Sequence, residues 1–314
     1  MLDSASINRI DIRKGADSVV LIKSATGWTV NGWTAAPAEM SDWFTALADT
    51  NARSDLAAQS EALHQRLGVD SAGRKVVLQA GDKTLATLVV GNRGPDFEGI
   101  YVRRVESPEV YLSHARWAEM AGRAADEWRD KQIAKVAADS IKEIAVTRAS
   151  GKFTVIKDGG WKFKSGGSGT PDSAASARFA AAFGDLHAMG FANPALADTL
   201  RHAKPWRSVR VTNAAGATLL SVALDSTAAG FWLRPDSGGV VYRVDQSVTE
   251  AIAPAASALD ASQRLANRYW VWVVGGGKSN RLPTTYNPTT HYPFRHHLHH
   301  FLSVVTGADL ESRR

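Results

Sequence analysis

The stretch that decides the fold is Ser6-Ile7-Asn8-Arg9-Ile10-Asp11-Ile12, because it returns as Ser140-Ile141-Lys142-Glu143-Ile144-Ala145-Val146. In both copies aliphatic and polar residues alternate, which is typical of a strand with one buried face. Further segments recur in the same order: residues 27–30 as 160–163, 85–90 as 219–224, 99–103 as 230–234, and 110–111 as 241–242. Ordered recurrence of this kind indicates a repeated structural unit.

The recurrence predicts an α+β protein of two tandem homologous units, each an antiparallel sheet with helices on one face, followed by an atypical C-terminal tail. The first unit is predicted to form strands over residues 7–13, 18–23, 28–30, 75–80, 84–90, 99–104 and 109–113. The second is predicted to form strands over residues 141–148, 152–157, 161–164, 208–213, 218–224, 230–234 and 240–244.

Helices are expected between these strands. In the first unit one follows Pro37, where proline suits the first helical turn, and its apolar residues fall on a single stripe. Two more are expected over residues 55–67 and 115–124. In the second unit a helix follows Pro171, with Thr170 as a candidate cap, and a terminal helix lies near residues 248–259.

The predicted domains are residues 1–126, the first unit, residues 127–260, the second unit, and residues 261–314, the tail. Nothing in the first unit corresponds to the tail, which contains a strongly apolar run at 269–274 and five of the nine histidines. Two interpretations stay open. The tail is either an appendage that packs on the second unit or a non-native, loosely ordered extension, for example from a shifted reading frame, and the abrupt change of composition favours the second.

Composition excludes several classes of function. The chain lacks cysteine, so disulfides, thiolate metal sites and cysteine nucleophiles are excluded. The net charge is +6, but the tail holds seven basic and two acidic residues, which leaves the repeated body almost neutral. A nucleic-acid surface would need a concentrated basic face, so no nucleic-acid partner is expected. No apolar run reaches the roughly 20 residues of a membrane span.

Several short motifs, in order along the chain, resemble one bacterial family. They are Leu67-Gly68-Val69-Asp70, Tyr101-Val102-Arg103, Val110-Tyr111-Leu112 and Trp128-Arg129-Asp130-Lys131, together with the Ile-rich opening, the Gly-Trp turn and the Pro-started helix. Over residues 6 to about 259 the chain resembles the family called domain of unknown function 4340. The resemblance implies no catalytic residue.

The same resemblance implies a location and a partner. Members of the family are similar to extracytoplasmic proteins held by one N-terminal membrane helix, and some are encoded beside gliding-type ABC transporter components. We therefore expect an extracytoplasmic location, in the periplasm or at the cell surface, and membrane transporter components as partners. Met1-Leu2-Asp3 leads almost directly into the first strand, so the anchoring helix is expected to be missing from this chain.

No group of residues indicates catalysis, cofactor binding or a metal site. We therefore predict no catalytic, cofactor-binding or metal-binding residue and no cofactor. Residues 272–279 resemble a phosphate-binding loop, but Trp272 replaces its first glycine, and no nucleotide is expected. The histidines between His291 and His300 could capture metal adventitiously, but a lasting site needs supporting hydrogen bonds. Trp28 and Trp161 are interpreted as core-sealing side chains, with ligand stacking as the minority alternative.

These patterns favour a non-enzymatic binding or assembly module that serves an ABC-type transporter complex. The alternative is a hydrolase with its active site in a cleft between the two units. A deep polar pocket there, with several titratable groups of shifted pKa, would favour the hydrolase. A shallow apolar surface would favour the module.

Overall fold

A computed structural model describes residues 4–95 and 97–261 of the chain. Its first part contains ten strands and four helices. Their bounds are β1 (Arg9–Lys14), β2 (Asp17–Ser24), β3 (Gly27–Val30), β4 (Trp33–Thr34), α1 (Pro37–Ala48), β5 (Ser54–Ala58), α2 (His64–Leu67), β6 (Arg74–Ala80), β7 (Lys83–Arg93), β8 (Ile100–Arg104), β9 (Val110–Ser113), α3 (Arg116–Met120), α4 (Ala125–Trp128) and β10 (Gln132–Ala134).

The second part of the described chain follows the same plan. Its bounds are β11 (Glu143–Arg148), β12 (Gly151–Lys157), β13 (Trp161–Ser165), α5 (Ser173–Ala181), β14 (Leu186–His187), β15 (Gly190–Phe191), α6 (Pro194–His202), β16 (Arg207–Thr212), β17 (Thr218–Thr227), β18 (Gly230–Pro235), β19 (Tyr242–Val244) and α7 (Gln246–Ile252). Short 3-10 helices occupy Ser4–Ser6, Glu61–Leu63 and Ala256–Leu259.

Two antiparallel sheets organise these elements, and their strand orders agree. The first sheet has the order β4-β3-β2-β1-β6-β7-β8-β9-β5. The second has the order β13-β12-β11-β16-β17-β18-β19-β15, which repeats the first once β4 is set aside. The predicted α+β class is confirmed, and the strands predicted from alternation lie within a few residues of the observed ones.

Strand registers also agree between the sheets at the positions that the sequence equates. The equivalent Cα pairs are Ile10–Leu78 and Ile144–Val211, Lys23–Trp28 and Lys157–Trp161, and Val76–Leu88 and Val209–Val222. Because a slip of one residue would turn every side chain to the other face, this agreement also equates the buried faces.

The main core of each unit lies between one sheet face and its helices. In the first unit α1 begins at Pro37 and buries Met40, Trp43 and Ala46, as the predicted stripe requires. In the second unit Phe179 of α5 occupies the place of Trp43. The helix α5 is capped by Asp172, whose carboxylate accepts the N–H of Ala175 at 2.6 Å, rather than by the predicted Thr170.

A smaller apolar cluster covers the opposite face of each sheet. Val69 and Val110 lie at the centre of this cluster in the first unit, and Leu200 and Trp232 in the second. The sequence did not predict α6, the helix that carries Leu200 onto this face.

An arginine at an equivalent position ties each of these clusters to its sheet. Arg103 donates from Nε to the carbonyl of Val69 at 3.1 Å, and Arg234 donates to the carbonyl of Ala203 at 2.7 Å. The motif Tyr101-Val102-Arg103 therefore has a structural role.

The helix predicted over residues 55–67 is wrong in its first half. Residues Ser54–Ala58 form β5, an edge strand that pairs with β9, and helix begins only near His64. Alternation over this strand is weak, since only Ala58 is buried. Pairing with β9 therefore decides the conformation where local sequence does not.

None of the described helices is both long and apolar enough to cross a membrane. The tail features singled out from the sequence, the apolar run 269–274, the loop-like stretch 272–279 and the histidines between His291 and His300, lie outside the described residues.

Candidate functional site

The segment Trp128-Arg129-Asp130-Lys131 connects the two units and forms hydrogen bonds to both. On the side of the first unit, the carbonyl of Trp128 accepts the N–H of Ala36 at 2.8 Å. On the side of the second unit, the carbonyl of Lys131 accepts the N–H of Ala188 at 2.8 Å, and the following strand β10 pairs with β14. The bridge is thus an extended segment laid along an edge of the second unit.

Trp128 anchors this bridge in the core of the first unit. Its ring is fully buried and packs edge-on against Trp43, with ring centroids 5.4 Å apart. Trp117 also packs edge-on against Trp43, with ring centroids 6.3 Å apart. Edge-to-face aromatic pairs add to the stabilisation that burial gives, so the end of the first unit is held firmly where the bridge begins.

Arg129 lies between aromatic rings of the two units. Its guanidinium carbon is 4.6 Å from the ring centre of Trp33, in the first unit, and 3.5 Å from that of Phe191, in the second. The side chain is only 10% exposed and pairs with Asp126 at 3.0 Å. A cation stacked on rings and shielded from water gains more than an exposed one, so this contact joins the units.

Tyr242 completes the junction behind Phe191, with ring centroids 5.9 Å apart. Burial raises the pKa of Tyr242, and the negative charge of Asp130 raises it further, while Arg129 opposes the shift. A phenol whose pKa lies above its ordinary value of about 10 stays protonated at neutral pH. Tyr242 therefore contributes a neutral phenol to the junction.

The first unit has an open groove at the place that corresponds to this junction. The groove has a volume of about 510 Å³ and is lined by Asp49, Ser54, Glu109, Tyr111 and Trp117, among others. It lies beside β5, which ends the strand order of the first sheet.

Strand register equates the groove with the covered junction. Tyr111 lies opposite Leu56 across β9 and β5, as Tyr242 lies opposite Phe191 across β19 and β15. Leu56 is 48% exposed and Tyr111 is 38% exposed, whereas their counterparts are partly buried beneath the bridge. The same two positions are therefore covered in the second unit and open in the first.

An aspartate follows the main helix at matching places in both units. In the second unit Asp185 accepts a hydrogen bond from Gln132 of the bridge at 3.4 Å and one from His187 at 2.8 Å. The hydrogen bond from His187 lowers the pKa of Asp185. In the first unit Asp49 lines the open groove and accepts the N–H of Asn51 at 2.9 Å.

The carboxylates at the bridge form local contacts. Asp126 pairs with Arg129, Glu127 accepts the N–H of Ala124 at the start of α4, and Asp130 accepts the N–H of Gln132 at 2.9 Å.

Two histidines of the repeated body differ in their surroundings. His64 is buried, with its Nε2 2.8 Å from the carbonyl of Pro108. The reason is that α2 packs on the second face of the sheet. His202 is exposed and contacts the carbonyl of Asp198. Within residues 4–95 and 97–261, no cluster of three or more His, Asp or Glu side chains could hold a metal ion.

Trp28 and Trp161 are partly buried and pack against the cores of their units. Trp28 contacts Phe44 at 5.4 Å between ring centroids and lines a cavity of about 350 Å³. Packing is thus their observed contact, and the cavity beside Trp28 is the place where ligand stacking would occur.

The fold and junction define a two-unit α+β protein whose units are joined by a stacked arginine and whose first unit carries an open copy of that junction. Residues 28–205 match the family described as Domain of unknown function (DUF4340), and the chain belongs to this family. The match extends from β3 of the first unit to α6 of the second. Comparison with curated proteins and with solved structures gives no match.

Proposed function

We propose that this chain is a non-enzymatic binding or assembly module. The observation that carries the proposal is the open groove beside β5. Tyr111 in its lining and Leu56, which faces Tyr111 across the strands, are exposed, whereas their counterparts Tyr242 and Phe191 are partly buried beside Arg129. A site that holds protein in one unit and is open in the other is suited to hold a protein segment there too.

The resemblance supports the setting of this role. It suggests an extracytoplasmic location, membrane anchoring, and service to an ABC-type transporter complex. This part of the proposal rests on family membership, an associational argument, since folds host many functions. The agreement of strand order and register further supports descent of the two units from one duplicated binding unit.

The geometry at the junction gives less support to a hydrolase between the units. The groups that meet there are a stacked arginine, two aromatic rings and a tyrosine whose pKa is raised. A general acid or base works best when its pKa lies near the working pH, and a tyrosine shifted upward moves away from it.

Photo-crosslinking in cells tests the proposal. A photoreactive residue replaces Leu56 in one strain and Ile22 in another, since Ile22 is 40% exposed on β2 of the same unit. We expect the Leu56 strain alone to give an adduct that contains a membrane transporter component, identified by mass spectrometry. Equal adducts from both strains, or none from Leu56, would contradict a binding role for the groove.

A second measurement addresses the hydrolase. The purified full chain is assayed with chromogenic ester, phosphomonoester and glycoside substrates, beside the variant Tyr242→Phe. We expect no turnover above background. Turnover that Tyr242→Phe abolishes would place an active site at the junction and overturn the proposal.

A further inference from the structure

The residues that line the open groove of the first unit specify the conformation of its occupant. We propose that the groove binds a proline-rich segment of another protein in the polyproline II conformation, with its prolines against Trp117 and Tyr111 and a basic side chain beside Asp49 and Glu109. This inference rests on the proposed binding role and names the conformation and chemistry of the partner segment.

Two aromatic rings line the groove and are held in place from within the first unit. Trp117 is partly buried and packs edge-on against Trp43, with ring centroids 6.3 Å apart. Tyr111 is 38% exposed, and its hydroxyl donates to Glu109 at 2.8 Å. Proline-rich segments bind to aromatic-lined grooves because the polyproline II helix is already formed and loses little entropy on binding.

The hydrogen-bonding groups of the groove suit such a segment. A polyproline II helix has no internal hydrogen bonds, and proline has no N–H, so the segment needs donors for its carbonyls and few acceptors. Ser113 accepts the hydroxyl of Ser54 and the N–H of Ala115, each at 3.3 Å, and so retains its own proton to donate. Arg104 pairs with Glu106 at 3.5 Å through one nitrogen and keeps further N–H donors.

A β-strand fits the groove less well, as the second unit shows. There the bridge continues into β10, which pairs with β14, and β15 remains the end strand of its sheet. In the first unit residues 49–53 replace β14 and form no strand. The N–H of Asn51 donates to Asp49, and the carbonyl of Arg53 accepts the N–H of His114, each at 2.9 Å. This segment therefore lacks the regular edge that β14 presents to β10.

The floor of the groove is also more polar than its counterpart in the second unit. Ser113 lies opposite Ile100 across β9 and β8, as Val244 lies opposite Phe231 across β19 and β18. Val244 is buried in the core against which apolar residues of the segment 133–136 pack. A serine at this position gives such an apolar strand less to pack against, so the occupant of the groove differs in chemistry from that segment.

The charges that remain for a partner are negative. Asp49 and Glu109 line the groove, and their hydrogen bonds come from neutral donors, the N–H of Asn51 and the hydroxyl of Tyr111. Arg103, by contrast, donates to carbonyls of its own unit. A lysine or arginine beside the prolines of the partner would complement these carboxylates.

The sequence distinguishes another protein from a second copy of this chain. A polyproline II helix has about three residues per turn, so a recognised segment carries prolines at positions i and i+3. The chain has 11 prolines, and no two of them are three positions apart. A second copy therefore offers no such segment, and the occupant belongs to a different protein.

A peptide blocked at both ends, Arg-Pro-Ala-Leu-Pro-Ala-Leu-Pro, is the probe. It is titrated into the full-length protein and followed by NMR of the Trp117 indole N–H and the β9 amides. We expect saturable shifts confined to the groove. The peptide with every proline replaced by alanine should bind about tenfold more weakly, because it loses the preformed helix. A peptide of residues 130–136, which contains the β10 sequence, should give no shifts.

Variants of the protein locate the site. Tyr111→Ala should weaken peptide binding about tenfold, and Tyr111→Phe, which keeps the ring, should weaken it less. Glu109→Gln should weaken binding several-fold and reduce its dependence on salt. Glu61→Gln is the matched control, because this exposed carboxylate lies outside the groove lining. Thermal melting of each variant establishes that it is folded, and Glu109→Gln keeps the test valid if Tyr111→Ala does not fold.

Four results would overturn the inference. Two are the absence of shifts at millimolar peptide and equal affinity for the alanine peptide. The third is binding of the 130–136 peptide in the groove, which would make a strand the occupant. The fourth is self-association of the chain that Tyr111→Ala abolishes, which would make a second copy the occupant. If any of these occurs while the Leu56 crosslink to a transporter component persists, the proposed function survives and only the conformation and chemistry of the segment are wrong.

Discussion

The second unit shows its Tyr242 surface covered by the bridge, whereas the first unit leaves the equivalent Tyr111 surface open. The two sheets have the same strand order, so the difference does not arise from the fold. It arises from position in the chain, because only the second unit has a described neighbour in front of it. In a protein of two like units, one edge becomes an internal joint and its copy becomes a surface that can accept a partner.

The largest expected effect concerns the ends of the units, where Trp128 and Leu259 occupy equivalent core positions. Trp128→Ala should destabilise the first unit by about 3–5 kcal/mol and Leu259→Ala the second by about 2–5 kcal/mol. Urea unfolding, followed separately in each unit by NMR, measures both. A loss of stability confined to the mutated unit shows that the two units can unfold independently. A loss of stability in both units shows that they unfold together.

The paired tryptophans should behave alike and more mildly. Trp28 and Trp161 are partly buried, so replacement by alanine should cost about 2 kcal/mol in each unit, roughly half of the value for a fully buried ring. Chemical denaturation of the two variants measures this. A cost in one unit only would break the equivalence of these positions, and a wild-type melting temperature for either would favour a ligand-stacking role.

The covered and open edges should respond differently to the same kind of change. Phe191→Ala removes a ring that supports Arg129 and Tyr242, and should cost about 1–2 kcal/mol. Leu56→Ala removes an exposed side chain and should change stability by less than about 0.5 kcal/mol. Equal costs, measured by thermal melting of both variants, would contradict the distinction between a joint and a free surface.

The smallest expected effect concerns the stability of the fold at low pH. Hydrogen bonding from Arg207 lowers the pKa of Glu250, and the charges of Arg207 and Arg148 lower it further. A lowered folded-state pKa gives stability that is present above the unfolded value of about 4.3 and is lost as pH falls through the folded value. Glu250 is 45% exposed, so we expect a contribution below about 1 kcal/mol.

Unfolding measured between pH 6 and pH 2.5 tests this prediction. Glu250→Gln should flatten the fall of stability below about pH 4.3. Glu119→Gln, at the equivalent point of α3, is the matched control and should keep the wild-type slope, because it leaves Glu250 in place. A wild-type slope in Glu250→Gln would assign the acid sensitivity to other groups.

Sequence alone predicted most of the sheets because their apolar residues alternate with polar or small ones, as around Ile10 and Ile12 or Ile144 and Val146. Prediction from the sequence failed where strand pairing, rather than hydrophobic alternation, decides the structure. Strand β5 has one buried residue, and β14 and β15 are two residues each, too short to show a period.

The candidate site was recognisable only in part. The motif Trp128-Arg129-Asp130-Lys131 was evident, and so was its place between the units. Its function as a joint depends on Trp33 and Phe191, which lie far from it and from each other in the chain and meet only in the folded protein. The open groove was missed because its edge strand had been interpreted as helix. An alignment of Leu56 with Phe191 would have exposed the pair.

Both units end with the same kind of isolated antiparallel β-bridge. Ala35 pairs with Arg129 in the first unit, and Pro171 pairs with Asp260 in the second. Because both units end with the same backbone pairing, a further unit could follow the second without a new kind of backbone contact. Replacing Asp260 with arginine and splicing a further copy of residues 130–260 behind it would give a third unit the same backbone attachment to the second that the second has to the first. The number of units in such an array would be set by gene duplication rather than by the fold.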